Sequence, residues 1–405
     1  MTTGPPTPGS ASGQTGRLAV SLDVSAVPES PAGAGRYTLE LATALLERPE
    51  VALTLVSRRH DHRRWEALVA AAGGPTGTTA GQAGTVAAVA PGPRPLRLVW
   101  EQVGLPGYLR RAAPDVHHGP HYTMPERTGR PVVVTVHDCT FFDHPEWHER
   151  SKVLLFRRAI RVAARRADAV VCVSATTAER LAEVCPVSAP VVVAPHGVDH
   201  RRFSPGEAEA GADDGALRGL GLDPDRPMIL FVGTMEPRKN VPALVRAFER
   251  IADAHPDAVL VLAGQRGWGA DEVERAVLAA ERHLDRIVRT GYVPDQAVPA
   301  LLRKAAVVAY PSLAEGYGLP ALEALACGAP LVTTSGTAMA ELAGDAALLV
   351  PPGDTEDLAA ALDAVLSDGD GRVAERRRLG LAVAAARTWA SSAERHVEAY
   401  RRACR

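Results

Sequence analysis

The sequence of 405 residues lacks the features that mark membrane and secreted proteins. No segment contains about 18 consecutive apolar residues, so no membrane-spanning helix is predicted. The N-terminus is rich in Pro, Gly, Ser and Thr and has no apolar core of the kind found in signal peptides. We therefore predict a disordered leader over residues 1–16 and a cytoplasmic location for the protein.

Lysine and cysteine are scarce, and the net charge is close to zero. Only Lys152, Lys239 and Lys304 occur, and none follows a glycine, which excludes a Walker A phosphate loop. The five cysteines show no CxxC spacing, which argues against a disulfide framework or a zinc ribbon. Because the formal charge is −2, the chain has no overall attraction for nucleic acid, and no nucleic-acid partner is predicted.

The sequence does contain a repeated alternation of short apolar runs and amphipathic segments. Arg17–Val24 and Pro131–Val136 are such runs in the first half, and Met228–Val232 and Val307–Tyr310 are such runs in the second. Strands that alternate with helices build a parallel sheet packed with helices. The alternation stops in a segment rich in Gly, Asp, Ala and Glu. We predict an α/β fold with two doubly wound domains, at residues 17–203 and 228–388. A linker at residues 204–227 joins them, and a last helix covers residues 389–405.

The most informative stretch runs from Ala314 to Gly328. An apolar run leads into a glycine-bearing turn, and a helix then begins with Pro320 near its first position. The free N–H groups at such a helix start attract anions, and glycines let a phosphate approach the backbone. Glu315 precedes the turn and Glu323 follows it, and carboxylates accept hydrogen bonds from sugar hydroxyls. These residues predict a site for a phosphate-bearing sugar or nucleotide.

Charged and polar residues also follow two other predicted strands. Arg238 and Lys239 lie at the first strand-to-helix turn of the second unit, where two cations would neutralise a diphosphate and stabilise its departure. An incidental surface charge is the alternative. His137 and Asp138 follow the strand Pro131–Val136, and ligands of α/β sheets bind at the carboxyl ends of such strands.

A glycine-bearing turn, Gly33-Ala-Gly35-Arg36-Tyr37, follows the first strand. It matches part of the dinucleotide-binding pattern, but Thr38 stands where that pattern requires a third glycine. Two interpretations therefore remain. The turn either presents backbone N–H groups to a phosphate or an acceptor, or it is an ordinary loop.

Two other features suggest ligands less directly. His117, His118 and His121 lie close together in sequence, but no carboxylate or thiolate cluster completes a metal site, so none is predicted. The segment from Glu149 to Arg166 carries seven basic residues and one acid, with apolar residues at helical spacing. This pattern indicates either a packed helix with a solvated arginine face or, through residues 150–166, a peripheral contact with the inner face of an anionic membrane.

In their order along the chain, these motifs resemble the retaining glycosyltransferases of family 4, group 1, which have the GT-B fold. The resemblance covers nearly the whole chain after the leader. It rests on the Glu-x7-Glu motif from Glu315 to Glu323 and on the motifs Gly233–Asn240, Pro195–Asp199, Gly291–Val293 and His137-Asp138. The Gly233–Asn240 motif looks most like the form found in GDP-mannose-dependent mannosyltransferases, although Thr234 replaces an arginine that some relatives carry.

The resemblance implies two Rossmann-like domains facing a central cleft, with a nucleotide-sugar donor, GDP-mannose as the best choice, held by the C-terminal domain. The last helix would cross back to the N-terminal domain. The expected catalytic residues are His137, Arg238, Lys239 and Glu315. The expected donor-binding residues are Gly35, Gly233, Thr234, Gly291, Tyr292, Val293, Gly316, Tyr317, Gly318, Leu319 and Glu323. Arg36 and Asp138 are expected on the acceptor side.

The mechanism that the resemblance implies is front-face departure of the diphosphate, with Arg238 and Lys239 in place of a metal ion and no further cofactor. The motifs carry no code for the acceptor. Three alternatives remain: a UDP-sugar-dependent glycosyltransferase of the same fold, a nucleotide-sugar epimerase, and a non-catalytic nucleotide-sugar-binding partner. The Glu-x7-Glu spacing and the form of the Gly233–Asn240 loop favour transfer over epimerisation. The presence of all the expected polar residues argues against a non-catalytic partner.

Overall fold

The structure, a computed structural model, describes residues 16–72, 84–206 and 211–405. Two parallel sheets, one of seven strands and one of six, organise the chain into two α/β domains that face each other. The predicted fold class is confirmed. All but the last residue of the predicted leader lies outside the described residues.

The N-terminal sheet has the strand order β3-β2-β1-β4-β5-β6-β7. Its strands are β1 (Leu18–Asp23), β2 (Val51–Arg58), β3 (Gly84–Ala90), β4 (Val116–Gly119), β5 (Val132–Val136), β6 (Ala169–Cys172) and β7 (Val191–Val193). The helices of this part of the chain are α1 (Ala34–Leu46), α2 (His62–Ala72), α3 (Arg94–Ala112), α4 (Thr140–Asp143), α5 (Arg150–Arg166) and α6 (Ala175–Val184).

The C-terminal sheet has the strand order β10-β9-β8-β11-β12-β13. Its strands are β8 (Met228–Val232), β9 (Val259–Ala263), β10 (Ile287–Gly291), β11 (Val307–Tyr310), β12 (Leu331–Thr334) and β13 (Ala347–Val350). The remaining helices are α7 (Ala212–Gly219), α8 (Val241–Ile251), α9 (Ala270–Ala279), α10 (Val298–Lys304), α11 (Leu319–Ala326), α12 (Ala338–Ala343), α13 (Thr355–Leu366), α14 (Asp370–Ala385) and α15 (Trp389–Ala403).

Local sequence signals account for several of these elements. Strand β9 is apolar throughout because it lies inside the sheet, where both faces are buried. Helix α8 buries Leu244 and Phe248 one turn apart, as its period of 3.6 residues predicts. Serine is a preferred N-cap residue, and the Ser174 hydroxyl accepts a hydrogen bond from the Thr177 backbone N–H at the start of α6.

Other elements lack a clear local signal. Strand β3 is rich in alanine and pairs with β2 through contacts such as Leu53 with Gly84, which sequence periodicity does not reveal. Helix α2 packs against β3 and was likewise not predicted. The segment at 204–227 contains helix α7, whose Asp213 forms an ion pair with Arg303 of α10. Part of the predicted linker is therefore packed on the C-terminal domain.

Helix α15 returns from the C-terminal domain to the N-terminal one. It packs on α1 and on β6, and Val397 and Tyr400 are buried there. Its first residue, Trp389, lies so close to Gly197 that any side chain at residue 197 would overlap the Trp389 backbone. The Pro195–Asp199 motif therefore requires glycine at this position for close packing.

The basic segment forms helix α5, whose apolar residues Val153, Phe156 and Ile160 are buried in the N-terminal domain. The exposed face carries Leu154 and a group of arginines that includes Arg158, Arg161, Arg165 and Arg166. This is the packed helix of the first interpretation, so only the arginine face is free to meet a membrane. Among the described residues, no helix is both long and apolar enough to span a bilayer.

Candidate active site

Several of the predicted site residues lie at the carboxyl ends of parallel strands in the two sheets. His137 and Asp138 follow β5, the Gly233 loop follows β8, Gly291 ends β10, and Glu315 follows β11. In each sheet the strand order reverses beside the first strand of the domain, between β1 and β4 and between β8 and β11. Ligands of open α/β sheets bind at such reversals, so the two domains direct their binding edges into one cleft.

A buried cluster of charges lies between the loops that follow β8 and β11. Arg238 Nη1 is 2.6 Å from Glu315 Oε2, its Nε donates to Glu236 Oε2 at 2.7 Å, and Lys239 Nζ forms an ion pair with Glu315 Oε1. The Glu315 side chain is only 8% exposed. The predicted catalytic residues Arg238, Lys239 and Glu315 therefore lie together.

Their charges fix each other's protonation. Burial would raise the pKa of Glu315, but the Arg238 and Lys239 cations outweigh it and hold this pKa at about 2. Burial and the neighbouring Arg238 lower the pKa of Lys239. Burial opposes the charge on Arg238, yet the Glu315 and Glu236 carboxylates outweigh it and raise its pKa. Glu315 therefore stays ionised over the physiological pH range, and the arginine remains a fixed cation beside it.

Glu323 lies on the other side of the turn, in α11, and its partner is unexpected. Arg36 Nη1 is 3.3 Å from Glu323 Oε1, and Arg36 Nη2 is 3.2 Å from Asp295 Oδ2. Arg36 was expected on the acceptor side. The structure places its guanidinium instead beside the residue expected to bind ribose, in a crevice also lined by Glu40 and Asp199.

The same crevice explains the protonation of Glu323. Burial raises the pKa of Glu323 to about 7; the Arg36 cation lowers it in part, and Asp295 and Glu40 raise it further. The two glutamates of the Glu-x7-Glu motif thus differ in protonation because Glu315 has two close cations and Glu323 has one more distant one.

A hydrogen bond and two aromatic contacts hold the His137 side chain in place. Its Nε2 donates to the Pro120 carbonyl at 2.8 Å, which leaves Nδ1 as an acceptor. Burial is the main cause of a lowered pKa, so the imidazole is neutral at physiological pH. Tyr37 and Tyr122 meet the ring edge-on, with centroid distances of 5.0 and 5.5 Å. Tyr122 adopts a φ of +61°, a left-handed conformation that is uncommon outside glycine and is often found near functional sites.

A buried chain of hydrogen bonds supports this part of the site, and sequence reasoning missed it. Tyr400 donates to His118 Nδ1, His118 Nε2 donates to the Thr135 hydroxyl, Thr135 donates to Tyr37, and Tyr37 donates to His396 Nε2, each at 2.8 Å. This direction follows because His396 Nδ1 faces a carbonyl oxygen, 2.7 Å away, and must carry the proton. The chain fixes α15 to the tyrosine that packs on His137. No local sequence pattern signals it.

The remaining predicted residues differ in their surroundings. Gly35 packs closely on Pro28, Gly318 has a φ of +99° at the start of α11, and Gly291 has a φ of +68°. The Tyr317 hydroxyl donates to the His196 carbonyl at 2.6 Å, so this side chain joins the two domains. Of the others, Thr234 and Tyr292 are exposed, Val293 is buried, and Gly233, Gly316 and Leu319 are half-buried. Asp138 accepts a hydrogen bond from the Thr140 hydroxyl at 2.7 Å.

The three histidines considered as metal ligands do not form a metal site. His117 and His118 are buried in β4, and their Nδ1 atoms lie 3.1 Å from the Ser21 hydroxyl and 2.8 Å from the Tyr400 hydroxyl. Across residues 16–72, 84–206 and 211–405, no three His, Cys, Asp or Glu side chains are grouped as ligands for a metal ion. Positive charge beside Glu315 and Glu323 is supplied by Arg238, Lys239 and Arg36.

Comparison with known proteins shows the family to which this chain belongs. A family model described as Glycosyltransferase Family 4 matches residues 31–202, and one described as Glycosyl transferases group 1 matches residues 216–382. The O-antigen chain mannosyltransferase B of Escherichia coli is 31% identical over 297 residues, which are 72% of this chain and 76% of that protein. The chain belongs to the family 4 glycosyltransferases.

Two further proteins match this family 4 glycosyltransferase over a shorter stretch or at a lower identity. A D-inositol 3-phosphate glycosyltransferase of Corynebacterium jeikeium (strain K411) is 37% identical over 209 residues, 50% of this chain and 49% of that protein. The chain thus spans about half the length of that relative. The crystal structure of HepE from Anabaena in complex with UDP and glucose has a TM-score of 0.70 at 18% identity and covers 94% of this chain and 99% of that one. This similarity shows the GT-B fold.

We expect the protonation of Glu323 to make nucleotide binding depend on pH. The folded protein keeps Glu323 protonated between the ordinary glutamate pKa and a pKa of about 7, whereas the unfolded chain does not, so the stability that this residue contributes is lost as pH rises through that window. An ionised Glu323 is the better acceptor for ribose hydroxyls. We therefore expect affinity for a nucleoside diphosphate, measured by calorimetry, to increase between about pH 6 and pH 8.

The matched variant is Glu323→Gln, in which this ionisation is absent while the titration of the ligand's own phosphates is unchanged. The expected result is a flatter pH profile of the dissociation constant than in the wild type. Identical profiles in the two proteins would show that Glu323 does not contact the nucleotide as a carboxylate.

Proposed function

We propose that this glycosyltransferase moves mannose from GDP-mannose to a hydroxyl of a glycan, glycolipid or small-molecule acceptor, with retention of the anomeric configuration. The observation that carries the proposal is the buried cluster of Arg238, Lys239 and Glu315 at the binding edge of the C-terminal sheet. The choice of mannose is supported by the Gly233–Asn240 motif and by the similarity to the E. coli mannosyltransferase.

The cation pair provides the chemistry that departure of a nucleoside diphosphate needs. Arg238 and Lys239 are already held in place by Glu315 and Glu236, so little reorganisation is required when negative charge develops on the leaving phosphate. We propose that these two cations replace a divalent metal ion and that no further cofactor takes part. Transfer measured in the presence of EDTA tests this point, and loss of activity there would contradict it.

The proposed step breaks the bond between the sugar C1 atom and the phosphate oxygen and forms a bond between C1 and the acceptor oxygen on the same face. The acceptor hydroxyl gives its proton to the departing phosphate. The neutral His137 ring, whose Nδ1 is free to accept, would orient a hydroxyl of the donor sugar. Glu323 would accept from the ribose once Arg36 releases it.

Substitution of Lys239 or Glu323 tests these roles. We expect Lys239→Ala and Glu323→Ala each to lower kcat/KM for the donor by about one to three powers of ten, because each removes a charged hydrogen bond. Lys304→Ala and Glu356→Ala are matched controls, since those side chains pair with Asp214 and Arg250 at the surface. Kinetics like those of the controls in either site variant would remove that residue from the mechanism.

The products distinguish transfer from the two other activities that the sequence left open. A transferase releases nucleoside diphosphate only when an acceptor is present. An epimerase would form a new sugar without any acceptor, and a non-catalytic partner would bind the nucleotide sugar without forming any product. Release of GDP from GDP-mannose in a panel of sugar and polyol acceptors, followed by coupled assay, is the deciding measurement.

The nucleotide base is tested by thermal unfolding with GDP and with UDP. A ligand that binds only the folded state stabilises it by about 2.7 kcal/mol when its concentration is a hundred times the dissociation constant. This stabilisation raises the melting temperature. We expect the larger shift with GDP at equal concentrations. An equal or larger shift with UDP would favour a UDP-sugar donor, and Glu323→Ala, which lacks the ribose acceptor, should show a reduced shift with either ligand.

We also propose that the protein works in the cytoplasm at the inner face of the membrane, through the arginine face of α5. The buried free thiols of Cys139, Cys172, Cys185 and Cys327 suit a reducing compartment. Each arginine near an anionic surface contributes about 1 kcal/mol to membrane binding. Because the apolar face of α5 is buried, this contact would be electrostatic rather than an insertion.

Co-sedimentation with phosphatidylserine-containing vesicles tests the membrane contact. The double variant Arg161→Glu and Arg165→Glu should lose about ten-fold or more of the vesicle-bound fraction at low salt. Arg275→Glu together with Arg282→Glu, a double reversal at exposed positions of the C-terminal domain, is the control. Equal binding by both double variants would leave α5 as a solvated helix only.

A further inference from the structure

The carbonyl group of Gly316, in the donor-binding turn, is held by the opposite domain. The Ser174 hydroxyl lies 2.8 Å from this oxygen and the Thr177 hydroxyl 3.2 Å from it, and both can donate to it. Ser174 is the N-cap of α6 and Thr177 is in its first turn. The start of an N-terminal helix thus reaches the turn that is expected to bind the donor in the C-terminal domain.

The same turn meets the N-terminal domain through its backbone. A Cβ atom at residue 316 would overlap the His137 carbonyl oxygen and lie 3.0 Å from Asp138 Cβ. These are the nearest atoms, and both belong to the N-terminal domain. Gly316 does not have a positive φ, so its own backbone conformation does not require glycine. The close approach of the N-terminal domain does require it.

A third contact closes the same interface from the C-terminal side. Glu341 of α12 accepts hydrogen bonds from the backbone N–H groups of Ala175 and Thr176 at 2.9 and 2.8 Å, and from the Thr176 hydroxyl at 2.8 Å. A carboxylate at this place satisfies free N–H groups of α6 and complements the positive end of the helix dipole. Opening of the cleft would break all three bonds.

We propose that Ser174, Thr177 and Glu341 are positioning residues that form a clamp between the domains and set the donor-binding turn only when the cleft is closed. Glu341 fixes α6 against the C-terminal domain, and the two α6 hydroxyls then fix the Gly316 carbonyl beside His137. The assignment of the turn to the donor rests on the proposed function, but the closure itself does not.

Gly316→Ala tests the closure without any substrate. Its added methyl group collides with the His137 carbonyl across the interface, so we expect a folded protein whose radius of gyration, measured by small-angle X-ray scattering, is larger than that of the wild type. Gly215→Ala is the control, because nothing lies within 4 Å of a Cβ at that helical position. The same radius of gyration in both variants would overturn the clamp, whether or not the protein proves to be a glycosyltransferase.

Kinetics then separate positioning from simple stability. Ser174→Ala should lower kcat by about 10- to 100-fold, the effect of a small misplacement of reacting groups, with the dissociation constant for GDP unchanged within about two-fold. Ser174→Thr keeps the hydroxyl and should restore kcat. Asp354→Ala, which removes the N-cap of α13 away from the cleft, controls for the lost cap.

Glu341→Gln provides a second, milder test, because glutamine keeps the shape of the side chain and one acceptor oxygen. We expect an intermediate loss of kcat that adds little to that of Ser174→Ala in the double variant, since both act on the same interface. Wild-type kcat in Ser174→Ala, or a loss equal to that in Asp354→Ala, would show that the hydroxyl does not position the donor turn.

Discussion

The burial of one carboxylate, that of Glu315, places the strongest constraint on the site. Removing an ionised carboxylate from water costs several kcal/mol unless cations and hydrogen bonds replace the solvent. Arg238 and Lys239 provide this compensation only because β8 and β11 are adjacent and parallel, so that the loops after them meet. The backbone reinforces the pair, since the Leu313 N–H donates to the Arg238 carbonyl at 2.7 Å. The loops after β8 and β11 thus depend on each other for their structure.

A second constraint comes from the surface shared by the two domains. Arg36 reaches Glu323, the Tyr317 hydroxyl reaches the His196 carbonyl, and the start of α6 reaches Gly316. Each contact joins a residue of one domain to a residue of the other. The proposed donor site therefore combines residues of both domains. This explains why the glycine at residue 316 faces the opposite domain rather than its own.

Neutral histidines complete the N-terminal side of the cleft. Burial lowers the pKa of His118, His137 and His396 alike, so uncharged rings can act as one donor and one acceptor each. Their hydrogen-bond chain ends on helix α15, which is contributed by the far end of the sequence. Helix α15 therefore connects the two domains and also supports Tyr37, which packs on His137.

The sequence by itself determined the α/β class, the strands that carry polar residues at their ends, the N-cap at Ser174 and the family, because periodicity, capping and motif spacing are local properties. Strand β3 and helix α7 were not predicted, because the contacts that stabilise them are made with residues that lie elsewhere in the chain. Only the tertiary structure paired Arg36 with Glu323, 287 residues away, Ser174 with Gly316, 142 away, and Tyr37 with His396, 359 away. Such pairs depend on the packing of whole domains, which no short stretch of sequence encodes.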